Sequence, residues 1–278
     1  MRCDGARPAD FEVVARVVYV LAWVLSGACL LAFAGLVLFD AQAERLTAGR
    51  PPSEFTARLD GRLRVDYGDV TVIAHNAGDS LPAATRAVAY GTDGIEIDVR
   101  STSGELFATH DAPLPLLEDL VFRGPSLAQA WDIARLRDTV LLHLKQRSPG
   151  YLDQVRSFLA TRRLRRILVQ AAHPETLRAL KATDPQVTPL LLVFSPAGLE
   201  AVRRDPSLLR GLAGVSVRES ALTPAALAWL RARRLLVFAW TVNDEQRLNA
   251  LIAGGVSGVI TDRLDIMRLL GTGQVAPQ

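Results

Sequence analysis

Two histidines and two carboxylates within one short stretch carry the chemistry in this sequence. They are His75 in Ala74-His75-Asn76-Ala77-Gly78, Glu96 and Asp98 in Gly94-Ile95-Glu96-Ile97-Asp98-Val99, and His110 in Thr109-His110-Asp111. Alternation along Ile95 to Val99 puts Glu96 and Asp98 on one strand face and the three apolar residues on the other. Two carboxylates on one face repel each other unless something positive lies between them. A hard divalent cation is the simplest such partner, because Mg²⁺ and Ca²⁺ take carboxylate oxygens. A histidine at each end of the stretch is what acid and base catalysis would need.

These groups need a frame that makes them converge. Apolar, β-branched-rich runs recur at Val70–His75, Gly94–Val99, Thr139–Lys145, Ile167–Ala171, Thr188–Phe194, Gly214–Val217, Leu235–Trp240 and Gly258–Thr261. Between most of them lie helical patterns such as Pro82–Tyr90, Tyr151–Thr161, Pro174–Thr183, Thr223–Arg233 and Asp244–Ala253. Alternation of this kind predicts an α/β chain with a parallel sheet, and eight repeats predict a closed (β/α)8 TIM barrel. An open doubly wound sheet is the alternative, but no Gly-x-Gly-x-x-Gly follows the first strand. Barrel enzymes work at the carboxyl ends of their strands, and all four histidines, His75, His110, His143 and His173, fall near such ends. A lone histidine is more often a satisfied, partly buried ring. Their gathering on one rim favours chemistry for His75 and His110, but not for His173.

The chain has 278 residues and a net charge of +3, spread without a basic patch, so no nucleic-acid partner is implied. Cys3 and Cys29 both precede the globular part, which leaves no disulfide framework or thiolate metal site. Arginine supplies nearly all the positive charge, and the only lysines are Lys145 and Lys181. A lysine closing an apolar strand at Lys145 therefore stands out.

Val17 to Phe39 contains no charged residue and exceeds the roughly 20 residues that cross a hydrocarbon core. The resulting division is a tail at 1–16, one transmembrane helix at 17–39, a linker at 40–67, the barrel at 68–272 and a tail at 273–278. Ala41-Gln42-Ala43 has a signal-peptidase pattern, yet the apolar run is long for a signal peptide, which favours a retained anchor. Arginines flank the run equally on both sides. Short amino-terminal tails commonly stay cytoplasmic, so the expectation is a single-pass protein with its barrel on the extracytoplasmic face. The clusters Arg162-Arg163-Leu164-Arg165-Arg166 and Arg231-Ala232-Arg233-Arg234 lie at helix ends, where they complement the helix dipole; contact with anionic lipid is the competing role.

The motifs together resemble the glycerophosphodiester phosphodiesterase family and, more distantly, spider-venom-type phospholipase D. The blocks that carry the resemblance are Ala74-His75, Gly94 to Val99 with Thr109-His110-Asp111, and Phe238-Ala239-Trp240-Thr241-Val242-Asn243 with Gly258-Val259-Ile260-Thr261-Asp262-Arg263. The resemblance implies a TIM barrel that hydrolyses glycerophosphodiesters to glycerol phosphate and an alcohol, using one divalent metal ion, Mg or Ca. It also implies that His75 and His110 are the catalytic pair, that Glu96 and Asp98 bind metal, that Lys145 contacts a phosphate oxygen and that Trp240 walls the pocket.

Three positions depart from the family pattern. Asn76 occupies the substrate-binding position of an arginine, so one bidentate phosphate fork is missing. Pro82-Ala83-Ala84-Thr85 lacks a carboxylate, and His143-Leu144-Lys145 has imidazole where the family has glutamate. With His143 as a ligand beside Glu96 and Asp98, Mn or Zn becomes acceptable as well. Asp79, in the shortened loop, is a neighbour that could replace the lost acid. The substrate is expected to be a small-molecule or lipid phosphodiester, with membrane contact through the amino-terminal helix. Alternatives are a phospholipase D-like lyase on membrane lipids or lysolipids, which would give a cyclic phosphate, and a degenerate barrel that binds its ligand without turnover.

Overall fold

Runs of aliphatic residues too short for helices and apolar on both faces suit parallel strands covered on each side. The computed structural model describes residues 70–110 and 124–266, and eight such strands close into a barrel there. All described residues belong to the second of two units of the chain, Val65–Gln278. The expected amino-terminal tail at 1–16, the membrane helix at 17–39, the whole linker at 40–67, the carboxyl-terminal tail and Asp111 lie outside the described residues. Among the described residues, no helix is long and apolar enough to cross a membrane.

The strands are β1 Thr71–Ala74, β2 Gly94–Thr102, β3 Glu105–Ala108, β4 Thr139–Leu144, β5 Arg166–Ala171, β6 Val187–Val193, β7 Gly214–Arg218, β8 Leu236–Trp240 and β9 Gly258–Thr261. The barrel order is β1-β2-β4-β5-β6-β7-β8-β9, and β1 pairs with both β2 and β9 to close it. The expected second strand, Gly94–Val99, extends to Thr102 and turns back as the antiparallel β3. This hairpin carries His110 back to the rim. The helices are α1 Leu81–Tyr90, α2 Leu127–Ala134, α3 Pro149–Ala160, α4 Pro174–Thr183, α5 Pro196–Arg204, α6 Pro224–Ala232 and α7 Glu245–Ala253. Several open on one local signal: Ser148, Ser195 and Thr223 each cap a helix with the side-chain oxygen and are followed by a proline in the first turn. The oxygen satisfies an orphan N–H, and proline loses nothing at that position.

Two apolar clusters separate the layers. Ile73, Leu141, Leu168, Leu190, Phe238 and Ile260 fill the barrel interior, while a larger cluster lies between the strands and the helices. Because side chains alternate along a strand, the positions two residues beyond this inner layer also face inward. They are His75, His143, Gln170, Leu192, Trp240 and Asp262. Register adds the two acids, since Glu96 pairs with Leu141 and Asp98 with His143. The upper layer of the barrel is therefore polar where the layer beneath it is hydrocarbon.

Candidate active site

Glu96 and Asp98 are 2% and 0% exposed, and both sit in that polar layer. Nδ1 of His143 lies 2.8 Å from Asp98 Oδ1 and 3.8 Å from Glu96 Oε1, and Lys145 Nζ lies 3.1 Å from Asp98 Oδ2. These contacts are close but poorly directed: neither buried oxygen of Asp98 has an aligned hydrogen-bond donor. Two ligand atoms side by side, rather than pointing along a shared proton, is the arrangement that metal ligands adopt. One ligand atom each from Glu96, Asp98 and His143 lies within 4.8 Å of the others, so the three could hold one metal ion.

The charges fit that role. Burial pushes Glu96 up to about 7, with the Asp98 charge adding to it, against the pull of His75 and Lys145. Burial also lowers His143 below its ordinary value despite the attraction of Asp98, so its ring is neutral and offers a lone pair near pH 7. Burial would raise Asp98, but the His143 contact and the Lys145 ammonium more than offset it and hold the group ionised. Gln170, on β5 beside His143, donates from Nε2 to Glu96 Oε1 at 2.6 Å, and the backbone N–H of Asn76 lies 3.4 Å from Glu96 Oε2.

Asp79 joins the cluster from the loop after β1. Its Oδ1 accepts from the Asp98 N–H at 2.9 Å, and its buried Oδ2 has no partner among the described residues. Burial, with Asp98 and Glu96 nearby, pushes it up to about 9. The loop gets this close because of Gly78. A Cβ there would lie 2.4 Å from the Ile97 side chain and 2.8 Å from the Glu96 carbonyl oxygen.

His75 follows β1 directly and forms a second centre. Its Nδ1 lies 2.8 Å from Asp262 Oδ1. An ionised carboxylate only accepts, so Nδ1 carries the proton and Nε2 is left for chemistry. Asn243 fixes the acid by donating from Nδ2 to Asp262 Oδ2 at 2.7 Å, and its Oδ1 accepts from the Asp262 N–H and the Thr261 hydroxyl. Burial would lower His75, but the Asp262 hydrogen bond and the charges of Glu96, Asp262 and Asp98 raise it overall. The same pairing holds Asp262 low against its own partial burial.

His110 leaves β3 at the rim and is exposed, and its carbonyl accepts from the Arg100 guanidinium at 3.1 Å. Asn76 adopts a left-handed backbone with φ of 48°, a conformation that asparagine accepts more readily than most residues. Trp240 meets Phe194 edge-on at 5.5 Å between centroids, and the Arg218 guanidinium lies 5.9 Å from the Trp240 ring. The buried indole N–H of Trp240 has no acceptor among the described residues. His173 lies away from this cluster, half exposed and 3.6 Å from Glu175. The basic clusters take up helix-end carbonyls and ring faces. Arg162 donates to the Phe158 carbonyl and stacks on its ring, and Arg233 does the same with Trp229.

Sequence reasoning did not assign roles to Gln170, Asp262, Phe194 and Arg218. Asp262 and Gln170 could have been found by counting two residues past the innermost apolar position of their strands. The aromatic wall could not, because a strand end alone does not say which side chains meet.

Residues 143–266 match the model of the glycerophosphoryl diester phosphodiesterase family. The match begins at His143, so the altered positions 76 and 83 and the residues His75, Glu96, Asp98 and His110 precede it. No curated protein matches the chain. Among solved structures, a phosphodiesterase of Oleispira antarctica in complex with its product sn-glycerol-3-phosphate is 20% identical. That similarity covers 73% of this chain and 97% of the other, with a TM-score of 0.61. A putative glycerophosphoryl diester phosphodiesterase of Silicibacter pomeroyi is 19% identical over 73% and 93%, with a TM-score of 0.60. One of Agrobacterium tumefaciens is 16% identical over 74% and 98%, with a TM-score of 0.63. These likenesses carry the fold, and the family model adds the sequence. From His143 to Ile266, a little under half of the chain, the sequence is similar to the glycerophosphoryl diester phosphodiesterase family.

Proposed function

We propose that this protein is a metal-dependent phosphodiesterase that cleaves glycerophosphodiesters to glycerol phosphate and an alcohol. The observation that carries this reading is the buried Glu96, Asp98 and His143 cluster at the carboxyl ends of the strands, with the His75–Asp262 pair on the adjoining strands β1 and β9. A divalent cation held by these three residues would polarise a phosphoryl oxygen and neutralise charge that builds up on it. His143 makes Mn²⁺ and Zn²⁺ acceptable beside Mg²⁺ and Ca²⁺.

In this reading Asp262 orients His75 and leaves Nε2 to take a proton from the attacking oxygen or give one to the departing alkoxide. His110, which follows β3 beside the neighbouring strand β2, does the complementary task. Lys145 provides a fixed positive charge for a phosphate oxygen, and Gln170 keeps the Glu96 carboxylate from rotating away. Phe194 and Trp240 wall the side where the alcohol portion leaves, and Asn76 lies at the edge of the phosphate site. The apolar stretch 17–39 anchors the barrel to a membrane, on its extracytoplasmic face, within reach of both soluble and lipid substrates.

The test is hydrolysis of glycerophosphocholine and of a lysophospholipid, each with Mg²⁺, Ca²⁺, Mn²⁺ and Zn²⁺ in turn. Wild type should release glycerol phosphate or its lipid equivalent, while His75→Ala and His110→Ala should each lose at least ~100-fold, the usual contribution of a general acid or base. A cyclic phosphate as the final product would select the lyase. The changes at positions 76, 83 and 143 favour one other reading, a barrel that binds its phosphodiester without turnover. Saturable binding with no product under any of the four metals would establish that instead.

A further inference from the structure

The metal centre proposed above has lost two acids relative to the family pattern, and the loop after β1 returns one of them from a position that pattern does not use. We propose that Asp79 supplies the third carboxylate charge of the metal centre, the first two being Glu96 and Asp98. This inference rests on the metal reading.

Three observations carry it. Asp79 Oδ1 is fixed by the backbone N–H of Asp98, so the side chain is tied to the strand that holds both metal-binding acids. Its other oxygen is buried and has no hydrogen-bond partner among the described residues, whereas the two oxygens of Asp98 face the His143 ring at 2.8 Å and the Lys145 ammonium at 3.1 Å. Burying a carboxylate oxygen without a partner is costly unless a charge compensates it. Lastly, the loop is built for close approach, because only a residue without Cβ fits at Gly78 against Ile97 and the Glu96 carbonyl.

The charge balance then closes. Asp79, Glu96 and Asp98 offer three carboxylates, the Lys145 ammonium lies 3.1 Å from one of them, and an imidazole that binds metal adds no charge of its own. The remainder is the charge of one divalent cation. Ala83 marks where the family's own acid is absent, and Asp79 reaches the same cluster from four residues earlier in the chain. A purely structural aspartate would be expected to use both oxygens as acceptors.

The test uses the full chain, stripped of metal, with Mn²⁺ as the probe and calorimetry as the readout. Asp79→Asn keeps the shape and the acceptor for the Asp98 N–H and removes only the charge. Its Mn²⁺ affinity should fall ~10–100-fold, as when a partner of a metal ligand is removed. Its unfolding midpoint without metal should equal or exceed that of wild type, because the amide carries no charge that could repel Glu96 and Asp98 at any pH. Adding His143→Glu to Asp79→Asn should restore affinity to within a few-fold of wild type by returning the charge from the opposite side. Affinity in Asp79→Asn within twofold of wild type would overturn the assignment. So would a fall in its metal-free unfolding midpoint together with no rescue by His143→Glu. Wild type that binds no Mn²⁺ at all would overturn the metal reading itself, a result distinct from either.

Discussion

Changing His143 to Glu restores the residue type of the family pattern, and the structure fixes what that should cost and gain. The ring nitrogen it replaces stands 2.8 Å from an Asp98 oxygen and 3.8 Å from a Glu96 oxygen. A third carboxylate there faces two others at an effective dielectric near 20, where a unit pair 3–4 Å apart interacts by ~4–6 kcal/mol. The new group escapes part of that by taking up a proton, and each pH unit of displacement is worth ~1.4 kcal/mol, which leaves a net penalty of ~2–4 kcal/mol without metal. For a barrel of this size the unfolding midpoint in chelator should drop by ~4–15 °C. With metal the sign reverses. Ligand charge count moves Ca²⁺ affinity over decades, so the variant should bind Ca²⁺ on the order of tenfold more tightly than wild type and lose relative preference for Zn²⁺. Calorimetric titration with Ca²⁺ and Zn²⁺, alongside thermal unfolding in chelator, reads both effects. Equal Ca²⁺ affinity in the two proteins, with no loss of metal-free stability, would refute the argument that His143 stands among the ligands.

Asp262→Asn removes the charge that raises His75. The limb of the pH–rate profile that reports His75 should therefore move to lower pH, and kcat/KM should fall ~10-fold or more; an unmoved limb would detach Asp262 from the chemistry. Metal-free stability should decrease as pH rises. Glu96 and Asp79 are raised to about 7 and about 9, above their ordinary values near 4.5 and 3.8, so the folded state holds protons that the unfolded chain releases. Each pH unit across which one such proton is held costs ~1.4 kcal/mol, from the ordinary value up to the raised one, and saturating Mn²⁺ should flatten or reverse that slope. Unfolding midpoints between pH 5 and pH 9, with and without Mn²⁺, check it. Trp240→Ala and Phe194→Ala should raise KM for substrates with a bulky alcohol portion more than they lower kcat, which paired kinetics on a small and a large glycerophosphodiester would show.

The barrel was legible because its signal is periodic. Eight apolar runs separated by helical patterns leave little choice of architecture, and the inward direction of Glu96 and Asp98 follows from alternation alone. The β2–β3 hairpin was less legible, since Arg100 to Ala108 is half exposed and carries turn residues at Ser103 and Gly104 that do not announce which strand they extend. Candidate chemistry was legible where one residue type is decisive, as at His75, which the structure sets against Asp262, whereas His110 lies exposed after β3. Chemistry was not legible where a role arises from pairing across the barrel. Asp262 acquires its role from a ring on β1, and Gln170 from a carboxylate two strands away. Asp79 lay near the motif in sequence, but its bond to the Asp98 N–H depends on the tight turn that Gly78 allows.

The most direct measurement of the central claim is anomalous diffraction from crystals of the metal-stripped protein soaked in Mn²⁺. The account requires one dominant peak within ligand distance of Glu96, Asp98 and the Nδ1 of His143, lost in Asp98→Asn. A strong peak elsewhere with none at this cluster, or a cluster that stays ion-paired to Lys145 at saturating Mn²⁺, would contradict it.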